Sequence, residues 1–144
     1  MTTSFFFGKQ SNFIQSSSKL YNHINKNISD IGRFKVESKY YSFLNKKNLN
    51  SLKNFNFFVL LKSFGKNYIL FLTNVEGKKY SIFINKKNNV MNIVNLSFDN
   101  DLYEGTLLDG EIVKNNENKY IFLFNDIPYV NGKSLITKNF EERN

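Results

Sequence analysis

Cysteine is absent from the 144 residues, which removes a disulfide scaffold, a cysteine zinc site, an iron–sulfur cluster and a thiol nucleophile from consideration. The single histidine, His23, excludes a pair of histidine metal ligands and argues against a Ser-His-Asp triad; it reads as a surface or helix-face residue. Long apolar runs are missing too. The longest, residues 57–61 among them, fall far short of the ~18 to 20 residues of a membrane-spanning helix, so no membrane partner is expected. The opening MTTSFFFGKQ lacks the basic-then-apolar pattern of a secretory signal, and an intracellular location is expected.

Alanine does not occur, proline occurs once and arginine twice, against 18 lysines and 24 asparagines. Lysine and asparagine, like the abundant phenylalanine, isoleucine and tyrosine, are the residues that A/T-rich codons specify. The formal charge of +8 therefore has two readings: ordinary solvated lysines of a biased composition, or a basic surface for nucleic acid, a nucleotide or an anionic surface. With 41% hydrophobic and 17% aromatic residues, the chain has material for one domain with a real core and too little for two.

Residues 1–38 are polar and rich in serine and asparagine, and read as an N-terminal arm. Within them Leu20, Ile24 and Ile28 recur at every fourth position, which predicts a short amphipathic helix over roughly residues 17–29. From Phe55 onwards the texture changes to short β-rich runs: FNFFVLL, NYILFLT, KYSIFINK, VMNIVNL, GTLLDGEIV and KYIFLFNDI. The links KSFGK, NVEGK, KKNN and KNNEN each hold a glycine or asparagine able to take positive φ, so the runs predict an antiparallel meander of hairpins. Lys79, Ser81 and Phe83 alternate with Tyr80, Ile82 and Ile84, as on a strand with two distinct faces.

Three segments are candidates for chemistry. Asn131-Gly132-Lys133-Ser134 contains the GKS of a phosphate-binding loop, but Ile127 stands where that loop needs its first glycine, so the segment reads as a turn. In FFVLLKSFGKNYILFLT, Lys62 and Gly65 sit in a short link between two apolar strands. Partial desolvation there would make the lysine amine a nucleophile, and Gly65 would let the backbone approach a ligand; an ordinary hairpin turn is the other reading. In GTLLDGEIV, Asp109 and Glu111 stand two apart in an apolar strand and so share one face, with Gly110 opening the other. Burying both costs several kcal/mol unless each finds a cation or a donor. Their shared face could serve ribose hydroxyls, a lysine amine or a metal ion, unless they lie at a solvated hairpin end.

Read in order, YSFLNKKNLNSL, FFVLLKSFGKNYILFLT, GKKYSIFINKKNNVMNI, GTLLDGEIV, KYIFLFNDIPYVNGKSL and FEER resemble the covalent nucleotidyltransferase superfamily. The likeness is greatest to the guanylyltransferase domain of mRNA capping enzymes, including those of large DNA viruses, and covers roughly residues 39–144. That family carries a nucleophile motif K-x-D-G-x-R, a strand L-D-G-E and a strand ending in F-D-I before N-G. The resemblance implies an α+β fold: a twisted antiparallel sheet of a nucleotidyltransferase (ATP-grasp-like) domain, here ending before the later motifs and the OB-fold. It also implies that Lys62 attacks the α-phosphorus of GTP, that the GMP passes to the 5′ diphosphate end of RNA, and that Mg2+ or Mn2+ accompanies the GTP. Glu111 would engage the ribose near the lysine. Gly65, Asn67, Asp109, Gly110 and Asp126 occupy the remaining matched nucleotide-binding positions, with Ile127 and Gly132 completing the last motif.

The sequence departs from that pattern at Phe64, where the motif has aspartate, at Asn67, where it has the ribose-binding arginine, and at Asn125, where an aromatic usually stacks on the base; Phe124 or Phe122 is the substitute in a shifted register. An asparagine donates a neutral hydrogen bond and does not replace a forked guanidinium. Alternatives therefore stand beside the capping reading: a catalytically inactive binding or structural subunit, an ATP-dependent polynucleotide ligase fragment, and an unrelated basic β-rich nucleic-acid module. A second polypeptide completing the domain is expected as a partner, since an early end would leave a sheet edge unpaired. The nucleus, or a viral factory or virion, is the location that the resemblance implies.

Overall fold

In a computed structural model, which describes residues 3–30, 44–53 and 63–143, the described residues form one antiparallel sheet of eight strands. The strands are β1 (Thr3–Phe6), β2 (Lys9–Phe13), β3 (Lys66–Val75), β4 (Lys78–Asn85), β5 (Met91–Val94), β6 (Glu104–Lys114), β7 (Tyr120–Val130) and β8 (Lys133–Ser134). Their spatial order is β1-β2-β5-β4-β3-β6-β7-β8. Helix α1 (Lys19–Asp30), the one-turn helix α2 (Phe140–Arg143) and two 3-10 turns, Leu49–Lys53 and Asn100–Tyr103, complete the described chain. The result is a sheet-rich antiparallel domain with few helices, compatible with the expected α+β class. Five of the six expected runs coincide with β3 to β7; the run at residues 55–61 lies outside the described residues.

Turn chemistry sets the strand pairing. Glu76-Gly77 and Asn131-Gly132 close two-residue hairpins with both residues at positive φ (52° and 80°, 50° and 71°), the conformation whose twist matches that of paired strands. Asn89 and Asn118 take the same region, at 56° and 60°, in the two longer links. The GKS segment is accordingly the β7–β8 turn, held by the Asn131 N–H donating to Thr106 Oγ1 at 3.1 Å.

Side chains alternate to two cores. Ile69 and Phe71 of β3, Ile82 and Ile84 of β4 and Leu107 of β6 lie in one cluster, whereas Tyr68, Leu70 and Leu72 of β3, with Phe83, lie in the other. The central strand β3 is thus buried on both faces, which explains why NYILFLT is nearly continuous in hydrophobicity. Helix α1 closes the first cluster. Ile24 is fully buried there, with Leu20, Tyr21 and Ile28 packed beside it, as the four-residue spacing predicts. Ser18 starts the helix by accepting the Tyr21 N–H at 3.1 Å.

The first forty residues hold more than the expected helix. A β1–β2 hairpin turns at Phe7-Gly8 (φ 49° and 78°), and β2 pairs with β5 through Ser11–Val94, Asn12–Ile93 and Phe13–Asn92. Positive φ is costly for a bulky residue. Here Phe7 packs edge-on against Phe6, Tyr68 and Tyr120, with centroids 4.6, 5.7 and 4.8 Å away, and closes the second cluster. A polar strand whose pairing is long-range leaves little trace in local hydrophobic periodicity.

Replacing Ile24 by alanine is expected to cost ~2 to 5 kcal/mol, read as a lowered midpoint in urea unfolding. The same change at the exposed His23 should leave the midpoint nearly unmoved.

Candidate functional site

The β3–β6 ladder brings most of the expected residues into one row. Asn67 pairs with Glu111 and Ile69 with Asp109, so the two carboxylates share the face of Ile69 and Phe71, while Gly110 pairs with Tyr68 on the opposite face. Asp109 and Glu111 are 7% and 8% exposed, which excludes a solvated hairpin end. Each must therefore be met by a donor or a cation.

Glu111 is met by the backbone and side chain of the link that leads into β3. Its Oε2 accepts the Ser63 hydroxyl at 2.7 Å and the Gly65 N–H at 3.0 Å. Gly65 has no room for a side chain. A Cβ there would fall 2.7 Å from the Ile112 carbonyl oxygen, 2.7 Å from Val113 Cγ1 and 2.9 Å from Glu111 Cβ. The link is therefore pressed flat on β6 and pinned by one carboxylate. Lys62 itself lies outside the described residues, immediately before this pinned link.

Asp109 is met by a lysine that sequence reasoning missed. Lys86 Nζ reaches both carboxylate oxygens at 3.0 Å, with the two side chains 6% and 11% exposed. The Lys86 N–H also donates to the Asn67 carbonyl at 3.2 Å, prolonging the β3–β4 ladder by one residue and aiming the side chain across β3. In the sequence Lys86 sits in KKNN, where only turn chemistry is visible.

Asp126 stands directly opposite Asp109 on β7, a like-charge pair that would repel without counterions. Arg143 of α2 supplies the second cation: its Nε lies 2.9 Å from Asp126 Oδ1 and its NH2 donates to Oδ2 at 3.1 Å. The same guanidinium donates to the carbonyls of Ile136 and Lys138 at 3.4 and 3.2 Å. Lys86, Asp109, Asp126 and Arg143 thus form a balanced row across four elements. FEER occurs among the resembling segments, but no local pattern assigned Arg143 a partner.

The pairing between β6 and β7 is interrupted to make this possible. Gly110 pairs with Phe124 and Asp109 with Asp126, so Asn125 is an extra residue on β7; a second irregularity, between Leu107 and Asp109, coincides with Pro128. At Gly110 a Cβ would lie 2.2 Å from the Leu123 carbonyl oxygen and 2.7 Å from Phe124 Cα, so β7 crosses where the glycine leaves space. Phe124 is 52% exposed, and Phe122 packs against Phe83 with centroids 5.1 Å apart. Phe64, in place of the motif aspartate, is 94% exposed, and Asn67 is exposed at the start of β3.

Among the described residues no group of three or more histidine, aspartate and glutamate side chains could hold a metal ion. The buried carboxylates are already engaged, by Lys86, Arg143 and the Ser63–Gly65 link. These residues alone do not form a metal cage.

Compared with known proteins, residues 38–144 match the family described as mRNA capping enzyme, catalytic domain. No curated protein matches the chain.

Two stability measurements test the site's construction. Lys86→Met strands a buried carboxylate and is expected to cost ~3 to 5 kcal/mol in urea unfolding, whereas Lys86→Leu with Asp109→Leu should recover most of that loss. Gly65→Ala should destabilise by ~1 to 3 kcal/mol because the Ile112 carbonyl oxygen, Glu111 Cβ and Val113 Cγ1, all on or next to the β6 backbone, occupy the space.

Proposed function

The chain belongs to the mRNA capping enzyme catalytic domain family, and from that premise we propose that it is a guanylyltransferase-type domain on a nucleotidyltransferase scaffold. The Lys62 amine attacks the α-phosphorus of GTP. A P–N bond forms, the bond from the α-phosphorus to the bridging oxygen breaks, pyrophosphate leaves and the amine gives up its proton. In the second half-reaction a terminal oxygen of the RNA 5′ diphosphate attacks the same phosphorus, the P–N bond breaks and Lys62 regains a proton.

The observation that carries this reading is the grip of Glu111 on Ser63 and Gly65, the residues that follow Lys62. Nucleotidyl transfer depends on positioning and charge stabilisation, and a nucleophile next to a pinned link loses little freedom on reaching the phosphorus. An ionised carboxylate accepts about four hydrogen bonds, so Glu111 retains capacity for a ribose hydroxyl after taking two. Asn67, paired with Glu111, supplies a neutral donor to the sugar. Asp109 and Asp126 act by holding β6 and β7 in register through their cations. Mg2+ or Mn2+ arrives with GTP as part of the substrate, since magnesium is commonly held by substrate phosphates with few protein carboxylates. GTP and the RNA 5′ end are the proposed ligands, in a nuclear or viral-factory setting inside the cell.

Phe64 and Asn67 favour one other reading, a scaffold that binds without reacting, because a motif carboxylate and a guanidinium are both missing. Incubation with α-labelled GTP and Mg2+ or Mn2+, followed by denaturing electrophoresis, separates the two. The expected result is label that survives denaturation, disappears in Lys62→Ala and forms about 100-fold more slowly in Glu111→Ala as the link loosens. Label from ATP alone would reassign the domain to ligase chemistry, and no label from soluble, folded protein would establish the inert scaffold.

A further inference from the structure

The sheet has a gap at the end opposite Glu111. Strand β5 stops at Val94, which pairs with Ser11 on one side and Ser81 on the other, while β4 runs on past it to Lys78 and β2 to Lys9. Beyond Val94 no described strand fills the space between them, and a cleft of about 600 Å3 opens there. Asn12, Lys78, Lys79, Tyr80 and Asn95 are among its lining residues, and none of the described lining residues is acidic.

The two lysines leave opposite faces of β4, Lys78 on the α1 side with Tyr80 and Lys79 on the side of Tyr103, so they flank the gap from its two sides, and each is held by neutral groups. Lys78 Nζ lies 5.3 Å from the centroid of the Tyr80 ring. Lys79 Nζ lies 5.7 Å from the Tyr103 ring and donates to Asn100 Oδ1. Such contacts orient an ammonium without neutralising it. Tyr80 is partly buried against the α1-side core, so its ring is a fixed wall of the cleft. Fixed cations beside an aromatic ring and amide side chains suit a chain of phosphates carrying flat bases.

We propose that this cleft binds single-stranded nucleic acid that crosses the sheet through the gap, one phosphate on Lys78 with a base against Tyr80, and another phosphate on Lys79 at the opposite face. The cleft is separate from the candidate catalytic row. Lys78 pairs with Val75 and Glu111 with Asn67, eight residues apart along β3, or ~26 Å at ~3.3 Å per residue. The inference does not depend on the covalent step, because binding is read without any nucleoside triphosphate.

The test is fluorescence anisotropy with a labelled single-stranded oligoribonucleotide of about ten nucleotides, titrated at several salt concentrations. Lys78→Ala with Lys79→Ala should make the plot of log K against log salt shallower by about 1.4, since each phosphate contact on a single strand contributes ~0.7. Lys78→Ala alone should lower the slope by about half as much, which guards against a folding defect in the double variant. Lys46→Ala with Lys47→Ala removes the same charge from an exposed turn elsewhere and should leave the slope nearly unchanged. Equal slopes in the two double variants or no binding by the wild type would each overturn the proposal. Failure of the labelling experiment with this result intact would remove only the catalytic reading.

Discussion

Two carboxylates buried two residues apart in β6 constrain much of the remaining architecture. Asp109 and Glu111 stand in the interior of a sheet, where an unpaired charge costs several kcal/mol. Every feature around them answers that cost. Lys86 is brought in from the β4–β5 turn, and the Ser63–Gly65 link is drawn onto β6. Asp126, opposite Asp109, adds a third negative charge, for which α2 delivers Arg143. Charge balance therefore ties four separate parts of the chain to one strand.

The same strand explains the irregular path of β7. Gly110 lies between the carboxylates on the opposite face, and the backbone of Leu123 and Phe124 closes to distances that no side chain would tolerate. The extra residue at Asn125 then restores the face on which Asp126 meets Asp109. A tight crossing and a bulge are two halves of one solution: the first sets how near β7 approaches, the second which side chains it presents. Phe124 remains half exposed beside the bulge, close to the strand that carries the candidate site.

Family membership and geometry bear on different questions. The match over residues 38–144 supplies the class of chemistry, and the site's construction says which of its parts are held in place. Glu111 is held, and so is the link that follows Lys62. The positions of Phe64 and Asn67 are occupied by residues without charge. The residues that follow Lys62 are therefore fixed by hydrogen bonds to Glu111, while the aspartate and arginine positions of the resembling motif hold Phe64 and Asn67.

Much of the fold was legible from local signals. The Asn and Gly turns, the alternation in KYSIFINK and the four-residue spacing of Leu20, Ile24 and Ile28 are consequences of backbone sterics and periodicity, and those elements stand where expected. That Asp109 and Glu111 share a face follows from strand geometry alone, and so does the need for partners. Which partners they find does not. Lys86 looks like any of 18 lysines and Arg143 like a helix-terminal charge, because the distances that pair them are closed by β3 and β7, not by neighbours in sequence. The β1–β2 hairpin was likewise invisible, since its stability comes from Phe7 packing on Tyr68 and Tyr120, residues more than sixty positions away. The sequence by itself determined where strands form, how they turn and that β6 carries charges in need of compensation. Only the tertiary structure decided which charges compensate them, because a buried ion pair is selected by the geometry of strands that meet only once the chain has folded.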